Sequence, residues 1–155
     1  MDAVRYERAG VADFLPIAEL DRNAWKQSRN SAFIPDGEHA WRLWVEHGLV
    51  FAARDEGRIV GAILAFPCAG GVWCVHKVFV DPGVRGRGIG TRLFALLLLE
   101  TDRLGVDCFL TVDPVNESAI RLYEKWGFVD RTFVKGYYRS NEDRYVLRRR
   151  AKKGA

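Results

Sequence analysis

A chain of 155 residues is most simply one domain that buries about two-thirds of its unfolded surface. Its 48% hydrophobic and 28% charged residues are ordinary for a globular protein, and its longest apolar run, residues 93–99, is too short to cross a bilayer. The formal net charge of +4 permits an anionic partner without identifying one. Three widely spaced cysteines with no CxxC pair argue against a disulfide framework and against a zinc site.

The two ends of the chain carry little structural signal. The first ten residues lack the apolar core of a signal peptide, so we expect a cytoplasmic protein. Six of the ten residues at 144–153 are basic, which predicts a solvated, frayed tail at about 150–155 and not a nucleic-acid-binding arm. The expected organisation is a single domain over residues 1–155.

Helices and strands are predicted from apolar periodicity and from glycine and proline breaks. In chain order they are a strand at residues 4–8, helices at about 11–25 and 38–47, strands at 49–54, 58–66 and 72–80, a helix at about 88–104, a strand at 107–112, a helix at about 116–126, and strands at about 129–138 and 144–149. A helix crosses over between the strands at 72–80 and 107–112, which makes those strands parallel neighbours. The order predicts a mixed α/β sheet.

A glycine-rich loop, VDPGVRGRGIGTRL, occupies residues 80–93 between a predicted strand and a predicted helix. Unpaired backbone N–H groups and the positive end of the helix dipole meet at such a point. Gly86, Gly88 and Gly90 let a bulky anion approach the backbone, while Arg85 and Arg87 add donors suited to phosphate oxygens. We interpret the loop as a pyrophosphate cradle; the alternative is a plain glycine turn that carries two surface arginines.

Two common phosphate-binding motifs do not fit this loop. A dinucleotide-binding GxGxxG would need glycine in place of Thr91. A P-loop would need a lysine directly after Gly90, where the chain has Thr91. The pattern that does fit is Arg-x-x-Gly-x-Gly at residues 85–90, directly after an apolar strand that ends in Val-Asp-Pro. It resembles the acyl-CoA-binding loop of the GNAT superfamily of N-acetyltransferases.

A second motif, NESAIRLYEKWGF at residues 116–128, resembles the other GNAT signature, Asn-x-x-Ala-x-x-Leu-Tyr-x-x-x-Gly-Phe. On a helix, Asn116, Ala119 and Tyr123 share one face, because a spacing of seven residues returns to within about 20°. An amide, a small residue and a phenol would then line one groove. The alternative is that Asn116 only caps the helix and that Tyr123 is a core residue with a satisfied hydroxyl.

The resemblance extends from about residue 49 to the end of the chain. It implies a mixed, mostly antiparallel central sheet with splayed parallel strands and with helices on both faces. It also implies an N-acetyltransferase that moves an acetyl group from acetyl-CoA directly to a primary amine of a peptide N-terminus, a lysine or a small molecule. The protein would be a monomer or a homodimer with no nucleic-acid or membrane partner.

A second function remains open on the same fold. A non-catalytic acyl-CoA-binding sensor or regulatory module would need the cofactor site but no turnover. The intact Tyr123 favours turnover, since a sensor would be free to lose it.

The resemblance implies where acetyl-CoA would bind. Backbone groups of Val78, Phe79 and Val80 would pair with the pantetheine arm, and an N–H near Val78 would polarise the thioester carbonyl. Asn116 would face the arm, and Tyr123 would be the general acid that protonates the departing thiolate. The pyrophosphate would rest on the loop residues Arg85, Gly86, Arg87, Gly88, Ile89, Gly90 and Thr91.

The general base is less clearly marked in the sequence. Alternation along the strand puts Cys74, His76 and Val78 on one inward face, and His76 is the group there that titrates near neutral pH. We predict that His76 takes the proton of the amine, directly or through water, without a metal; the alternative is a histidine that merely lies under the sheet. A covalent acetyl-cysteine at Cys74 is a minor alternative, because no partner base adjoins the thiol.

In this family the acceptor enters over the first two helices and over the loop between the last two strands. Aromatic side chains in those regions either wall a pocket for an amine or belong to the core: Trp25, Phe33, Trp41, Trp44, Tyr137 and Tyr138. The run of residues 135–138, Lys-Gly-Tyr-Tyr, followed by Asp143 is similar to the end of N-terminal peptide acetyltransferases such as those that act on ribosomal proteins.

Overall fold

The structure, a computed structural model, describes residues 4–26 and 35–153. Phe33, one of the aromatic residues considered for the acceptor pocket, and the last two residues of the predicted tail lie outside the described residues. The strands are β1 (Arg5–Arg8), β2 (Leu49–Asp55), β3 (Arg58–Pro67), β4 (Trp73–Val80), β5 (Cys108–Val112), β6 (Phe128–Val134) and β7 (Arg144–Arg149). The helices are α1 (Phe14–Lys26), α2 (Glu38–His47), α3 (Ile89–Leu104) and α4 (Glu117–Lys125). None of these helices, over the described ranges, has the length and the apolar character that a membrane span requires.

The seven strands follow the order β1-β2-β3-β4-β5-β7-β6. β4 and β5 are parallel, as the crossover through α3 predicts, while the pairs β1–β2, β2–β3, β5–β7 and β6–β7 are antiparallel. The prediction of a mixed, mostly antiparallel sheet is therefore confirmed. By internal packing the chain divides into two compact units, Met1–Phe66 with Lys77–Leu99, and Pro67–His76 with Glu100–Ala155.

In the first unit, α1 and α2 bury their apolar stripes against the sheet. Ile17 of α1 and Trp41 of α2 are completely buried. They belong to one cluster with inward residues of the strands, among them Val50 and Leu64. Burial of such large side chains supplies about 1.5–3 kcal/mol each, so this cluster is what holds both helices in place.

Helix α3 packs on the opposite face of β3. Ala62 belongs to the cluster with α1 and α2, whereas Gly61, its neighbour along the strand, points to the other side. A Cβ on Gly61 would come within 3.1 Å of Ile89 Cγ2 and 3.3 Å of Leu93 Cδ1. Glycine here lets α3 lie close to the strand, and the expected helices on both faces of the sheet are present in this unit.

The second unit is built around β5 and β7. The parallel pairing of β4 with β5 sets Trp73 opposite Cys108 and Cys74 opposite Phe109. The buried Arg149 of β7 donates to both carboxylate oxygens of Asp102 at 2.7 and 2.9 Å. This long side chain ties β7 to the last turn of α3.

Most element boundaries agree closely with the sequence, but the strand predicted at residues 129–138 is wrong at its end. β6 stops at Val134, and Gly136 then adopts a φ of +62°. The Gly136 N–H donates to Asp143 Oδ1 at 2.9 Å, and the Tyr137 N–H donates to the Glu142 carbonyl at 2.8 Å. Residues 135–143 therefore form a closed loop in place of a continuing strand.

The C-terminal tail was predicted to fray from about residue 150, but its backbone is hydrogen-bonded as far as Lys152. The N–H groups of Ala151 and Lys152 donate to Asp107 Oδ1 and Asp102 Oδ1 at 2.9 and 2.8 Å. Two carboxylates from distant positions thus anchor the backbone, which the basic composition of the tail did not reveal.

Candidate functional site

The glycine loop is anchored at its start by Asp81, the residue after β4. The Asp81 N–H donates to the Val60 carbonyl at 2.7 Å, and its carboxylate accepts from the Gly83 N–H at 2.9 Å and from Arg58 at 2.7 Å. The Gly83 hydrogen bond, and then the Arg58 guanidinium, lower the pKa of this carboxyl. Asp81 therefore stays ionised and holds the short 3-10 turn Pro82–Val84 in place.

Gly86 and Gly88 adopt backbone conformations that only glycine takes without strain. Their φ angles are +85° and +74°, in the left-handed region. No atom lies within 4 Å of the position that a Cβ would take on either residue, so the space beside the loop is open. α3 begins directly afterwards, at Ile89, and its first unpaired N–H groups adjoin this space. A pyrophosphate fits such a loop, and a Cβ would intrude on it.

The remaining loop residues differ in what they offer a ligand. A Cβ on Gly90 would lie 3.7 Å from Val80 Cγ2, an ordinary contact. Ile89 is only 2% exposed as a whole residue, so its side chain belongs to the core. Thr91 is exposed in the first turn of α3, which leaves its hydroxyl accessible.

The structure gives the two loop arginines different surroundings, which the sequence does not distinguish. Arg85 borders a cavity of about 410 Å³. Arg87 instead donates from Nη1 to Asp55 Oδ2 at 3.0 Å, at the end of β2. Four other residues expected to bind the cofactor border the same cavity as Arg85: Val78, Phe79, Val80 and Gly90.

A charged cluster that no sequence motif predicts also borders this cavity. Asp21, buried in α1, accepts from Trp41 Nε1 at 3.0 Å and from Lys77 Nζ at 2.9 Å. Lys77 also pairs with Asp36 Oδ2 at 2.6 Å and lies 5.8 Å from the centre of the Trp25 ring. The available signal was a lysine in a mostly apolar strand, since a lysine there needs a buried counter-charge.

The first half of β4 does not present His76 to the interior. Val75 is buried at 6% exposure, whereas His76 is exposed and Cys74 is half-buried. The inward orientation predicted for His76 is wrong, because the alternation of the strand buries its neighbour instead.

Cys74 is a poor nucleophile in this environment. Burial raises the pKa of its thiol to about 12, and the neighbouring Cys68 and Cys108 contribute in the same direction. The reactive form of cysteine is the thiolate, which is scarce near neutral pH at such a pKa. This environment disfavours a covalent acetyl-cysteine.

Helix α4 carries the second motif. The Asn116 side-chain oxygen accepts from the Ala119 N–H and from the Ser118 hydroxyl, both at 3.3 Å. Asn116 is therefore an N-cap, as the alternative interpretation held, and its side-chain N–H₂ is a separate donor that could meet a ligand. It borders a groove on α4 together with Ala119.

Tyr123 lies two turns further along α4. Its ring meets Phe128 edge to face, with 6.2 Å between ring centres. Burial raises the pKa of the Tyr123 phenol. The phenol therefore stays protonated throughout the neutral range, which is the state that a general acid needs.

The loop at residues 135–143 presents a pair of tyrosines beside the parallel strands. Tyr138 Oη and Thr111 Oγ1 of β5 are 2.8 Å apart, and the rings of Tyr137 and Tyr138 meet edge to face at 4.7 Å. Burial raises the pKa of Tyr137, with smaller contributions from Tyr138, Cys74 and Cys68. Both phenols thus have neighbours on the strands of the second unit.

Comparison with known proteins identifies a matching family profile and sequence relatives among the acetyltransferases. The profile of the Acetyltransferase (GNAT) family matches residues 14–128. N-alpha-acetyltransferase RimI of Mycobacterium tuberculosis is 43% identical over 76 residues, which cover 48% of this chain and 47% of that protein. Mycothiol acetyltransferase of Thermomonospora curvata is 32% identical over 121 residues, which cover 70% of this chain and 40% of that protein.

A solved structure matches over nearly the whole chain. The ribosomal-protein-S18-alanine N-acetyltransferase from Escherichia coli has a TM-score of 0.80 at 21% identity, covering 99% of this chain and 97% of that one. At this identity the likeness concerns the fold. The chain spans less than half of the first curated relatives that it matches, from 21% to 47% of the length of each.

Proposed function

Because the chain belongs to the GNAT acetyltransferase family, we propose that it is an acetyl-CoA-dependent N-acetyltransferase that acts on the α-amine of a peptide N-terminus. Acetyl-CoA supplies an acetyl thioester, whose carbonyl carbon accepts an amine as the thiol departs. The observation that carries the proposal is Tyr123 on the helix of the second motif, a phenol that is protonated at neutral pH and whose pKa burial raises further. A protein that only sensed acyl-CoA would have no use for such a proton donor.

The donor-binding role is assigned to the glycine loop and to the end of β4. The open backbone at Gly86 and Gly88 and the N-terminus of α3 supply N–H groups for the pyrophosphate. Arg85 supplies a cation at the cavity that Val78 and Val80 also border. Backbone groups from Val78 to Val80 are available to orient the pantetheine arm, and the N–H near Val78 is the candidate donor to the thioester oxygen.

The proton transfers are assigned to His76 and Tyr123. An alkyl ammonium has a pKa of about 10, so a base must remove a proton before the amine can attack. His76, exposed at the middle of β4, is the candidate for this step, directly or through water. Two protons leave the nitrogen in all. His76 or water takes the first from the ammonium, and the second, lost from the nitrogen as the tetrahedral intermediate collapses, replaces the proton that Tyr123 gives to the departing sulfur.

The acceptor is inferred from the loop at residues 135–143. Tyr137 and Tyr138 form a paired aromatic wall, and the Thr111 hydroxyl holds the second ring in position. An extended peptide suits such a wall better than a small polyamine does, because aromatic rings and backbone amides pack together over a large area. The identity of 43% over 76 residues to an N-alpha-acetyltransferase supports the same choice.

A Tyr123→Phe variant tests the catalytic part of the proposal. Loss of the phenolic proton should lower kcat for acetyl transfer by about ten- to a thousandfold, while the affinity for CoA stays nearly unchanged. Thiol release and calorimetric titration with CoA measure the two quantities. Tyr6→Phe in β1 is the matched control and should leave both near the wild-type values.

Each outcome of that test has a clear meaning. Full activity in Tyr123→Phe would remove this residue as the acid. A wild-type chain that binds CoA but transfers acetyl to no amine would favour the alternative function, a non-catalytic acyl-CoA sensor. Faster transfer to a small amine than to a peptide would contradict the assignment of a peptide N-terminus as the acceptor.

A further inference from the structure

Two ion pairs fasten the turn between β2 and β3 to the glycine loop. Asp55, at the end of β2, pairs with Arg87 at 3.0 Å, and Arg58, at the start of β3, pairs with Asp81 at 2.7 Å. The turn itself is tight, since Glu56 and the following glycine have φ angles of +52° and +78°, typical of a type I′ hairpin. A short hairpin thus holds the loop near both of its ends.

Arg87 lies between Gly86 and Gly88, the two loop residues with left-handed φ. Glycines give a free loop many conformations, and the loss of these conformations opposes ligand binding. A side chain tied down between the two glycines restricts the loop before the ligand arrives, which favours binding.

The exposure of the pair argues for a local effect. The Arg87 side chain is 44% exposed and the Asp55 side chain 21% exposed. Ion pairs exposed to this degree add little to global stability. Removal of the pair should therefore leave the melting temperature nearly unchanged and act on the loop alone.

We propose that Asp55 is a positioning residue for the donor site: by holding Arg87, it keeps the glycine loop in the conformation that receives the pyrophosphate. This inference rests on the proposed function, because it concerns the affinity of the loop for CoA. It assigns the two arginines different tasks, with Arg85 facing the cavity and Arg87 fastening the loop.

The direction in which CoA affinity changes when Asp55 is neutralised distinguishes a positioning role from a purely electrostatic one. Asp55 is a negative charge near a site for a polyanion, so its removal should strengthen CoA binding through space. The same strengthening is expected if Arg87 leaves Asp55 to bind phosphate. A positioning role predicts the opposite sign, because the loop loses its anchor.

The experiment measures the dissociation constant of CoA for the full chain by calorimetry. We expect Asp55→Asn to raise it by about two- to fivefold and to raise KM for acetyl-CoA equally, with kcat and the melting temperature unchanged. Asp55→Glu keeps the charge and the pair and should restore most of the affinity. Glu56→Gln removes a carboxylate from the same turn without touching the pair, and it should leave binding equal to wild type or tighter.

Three results would overturn the positioning role: tighter binding in Asp55→Asn, no difference between Asp55→Asn and Glu56→Gln, or full additivity of Asp55→Asn and Arg87→Gln. Two residues that act through one pair should give a double variant no weaker than Arg87→Gln alone. A wild-type chain that binds no CoA would instead contradict the proposed function. The two failures are therefore distinguishable.

Discussion

At the scale of single residues, backbone conformation governs the glycine loop more than side-chain volume does. Gly88 has a φ of +74° with open space around it, whereas Gly90 lies outside the left-handed region and has Val80 at contact distance. The sequence shows only that both are glycine. The two positions should therefore respond differently to the same added methyl group.

We expect Gly88→Ala to weaken CoA binding by up to about five- to thirtyfold. A left-handed residue with a Cβ carries about 1–2 kcal/mol of strain, which the free loop of the variant relieves by leaving the conformation that receives the pyrophosphate. Gly90→Ala is the matched variant and should weaken binding several-fold less. Calorimetric titration with CoA measures both. Equal losses in the two variants would show that φ is not the determinant.

Residue roles were predictable from the sequence only where the neighbours are local. The glycine loop and the helix motif are continuous stretches, so their residues could be named in advance. The task of Arg87 could not, because Asp55 lies 32 positions away in the chain. The contact of Lys77 with Asp21 could not be predicted for the same reason, because the two residues are 56 positions apart.

At the scale of elements, the N-cap residue of α4, Asn116, carries two chemically different side-chain groups. The Asn116 oxygen caps the helix by accepting from Ala119 N–H, and its N–H₂ group is chemically separate from that task. α4 has nine residues, and isolated helices of this length are marginal in water. A lost cap should therefore be measurable.

Two variants of Asn116 separate these tasks. Asn116→Ala should lower the free energy of unfolding by about 1 kcal/mol, while Asn116→Ser keeps a capping oxygen and should lose only a few tenths. Both variants lack the side-chain N–H₂ and should weaken acetyl-CoA binding alike if that group faces the cofactor. Chemical denaturation and calorimetry measure the two effects. Unchanged binding in Asn116→Ser would leave Asn116 as a cap only.

Element boundaries followed from local signals wherever glycine or proline ended a periodic run. α2 occupies the predicted residues 38–47 because Gly37 and Gly48 flank it. The end of β6 was missed because Asp143 and Glu142, which close the following loop, lie beyond the strand. Apolar and aromatic residues up to Tyr138 mimic a strand when read alone.

At the scale of the whole molecule, partly exposed carboxylates with lowered pKa values contribute to the response to acid. Asp102 accepts two hydrogen bonds from Arg149, which lower its pKa most, and a third from the Lys152 N–H. The pKa of Asp107 is also lowered, first by the hydrogen bond from the Ala151 N–H and then by the one from Arg148. Carboxyls with a lowered folded pKa stabilise the protein above their unfolded pKa of about 3.9, and this stability is lost as the pH falls through the folded pKa.

We expect Asp102→Asn to lower the free energy of unfolding by about 3 kcal/mol at pH 7, because it leaves the buried Arg149 guanidinium without its counter-charge. The difference from wild type should shrink as the pH falls below about 4. Glu117→Gln, in an exposed pair with Arg121 at 4.0 Å, is the control and should change stability little. Urea denaturation across this pH range is the measurement. A difference that stays constant with pH would contradict the assignment.

The most direct measurement of acetyl transfer follows the acetyl group itself. The full chain is incubated with acetyl-CoA labelled in the acetyl carbons and with a peptide that has a free α-amine, beside the same peptide with a blocked N-terminus, a polyamine and an aminoglycoside. We expect the label on the α-amine of the free peptide, with one CoA thiol released per label and none on the blocked peptide. A chain that binds acetyl-CoA and leaves the label on the thioester with every amine would contradict the assignment of this protein as an N-acetyltransferase.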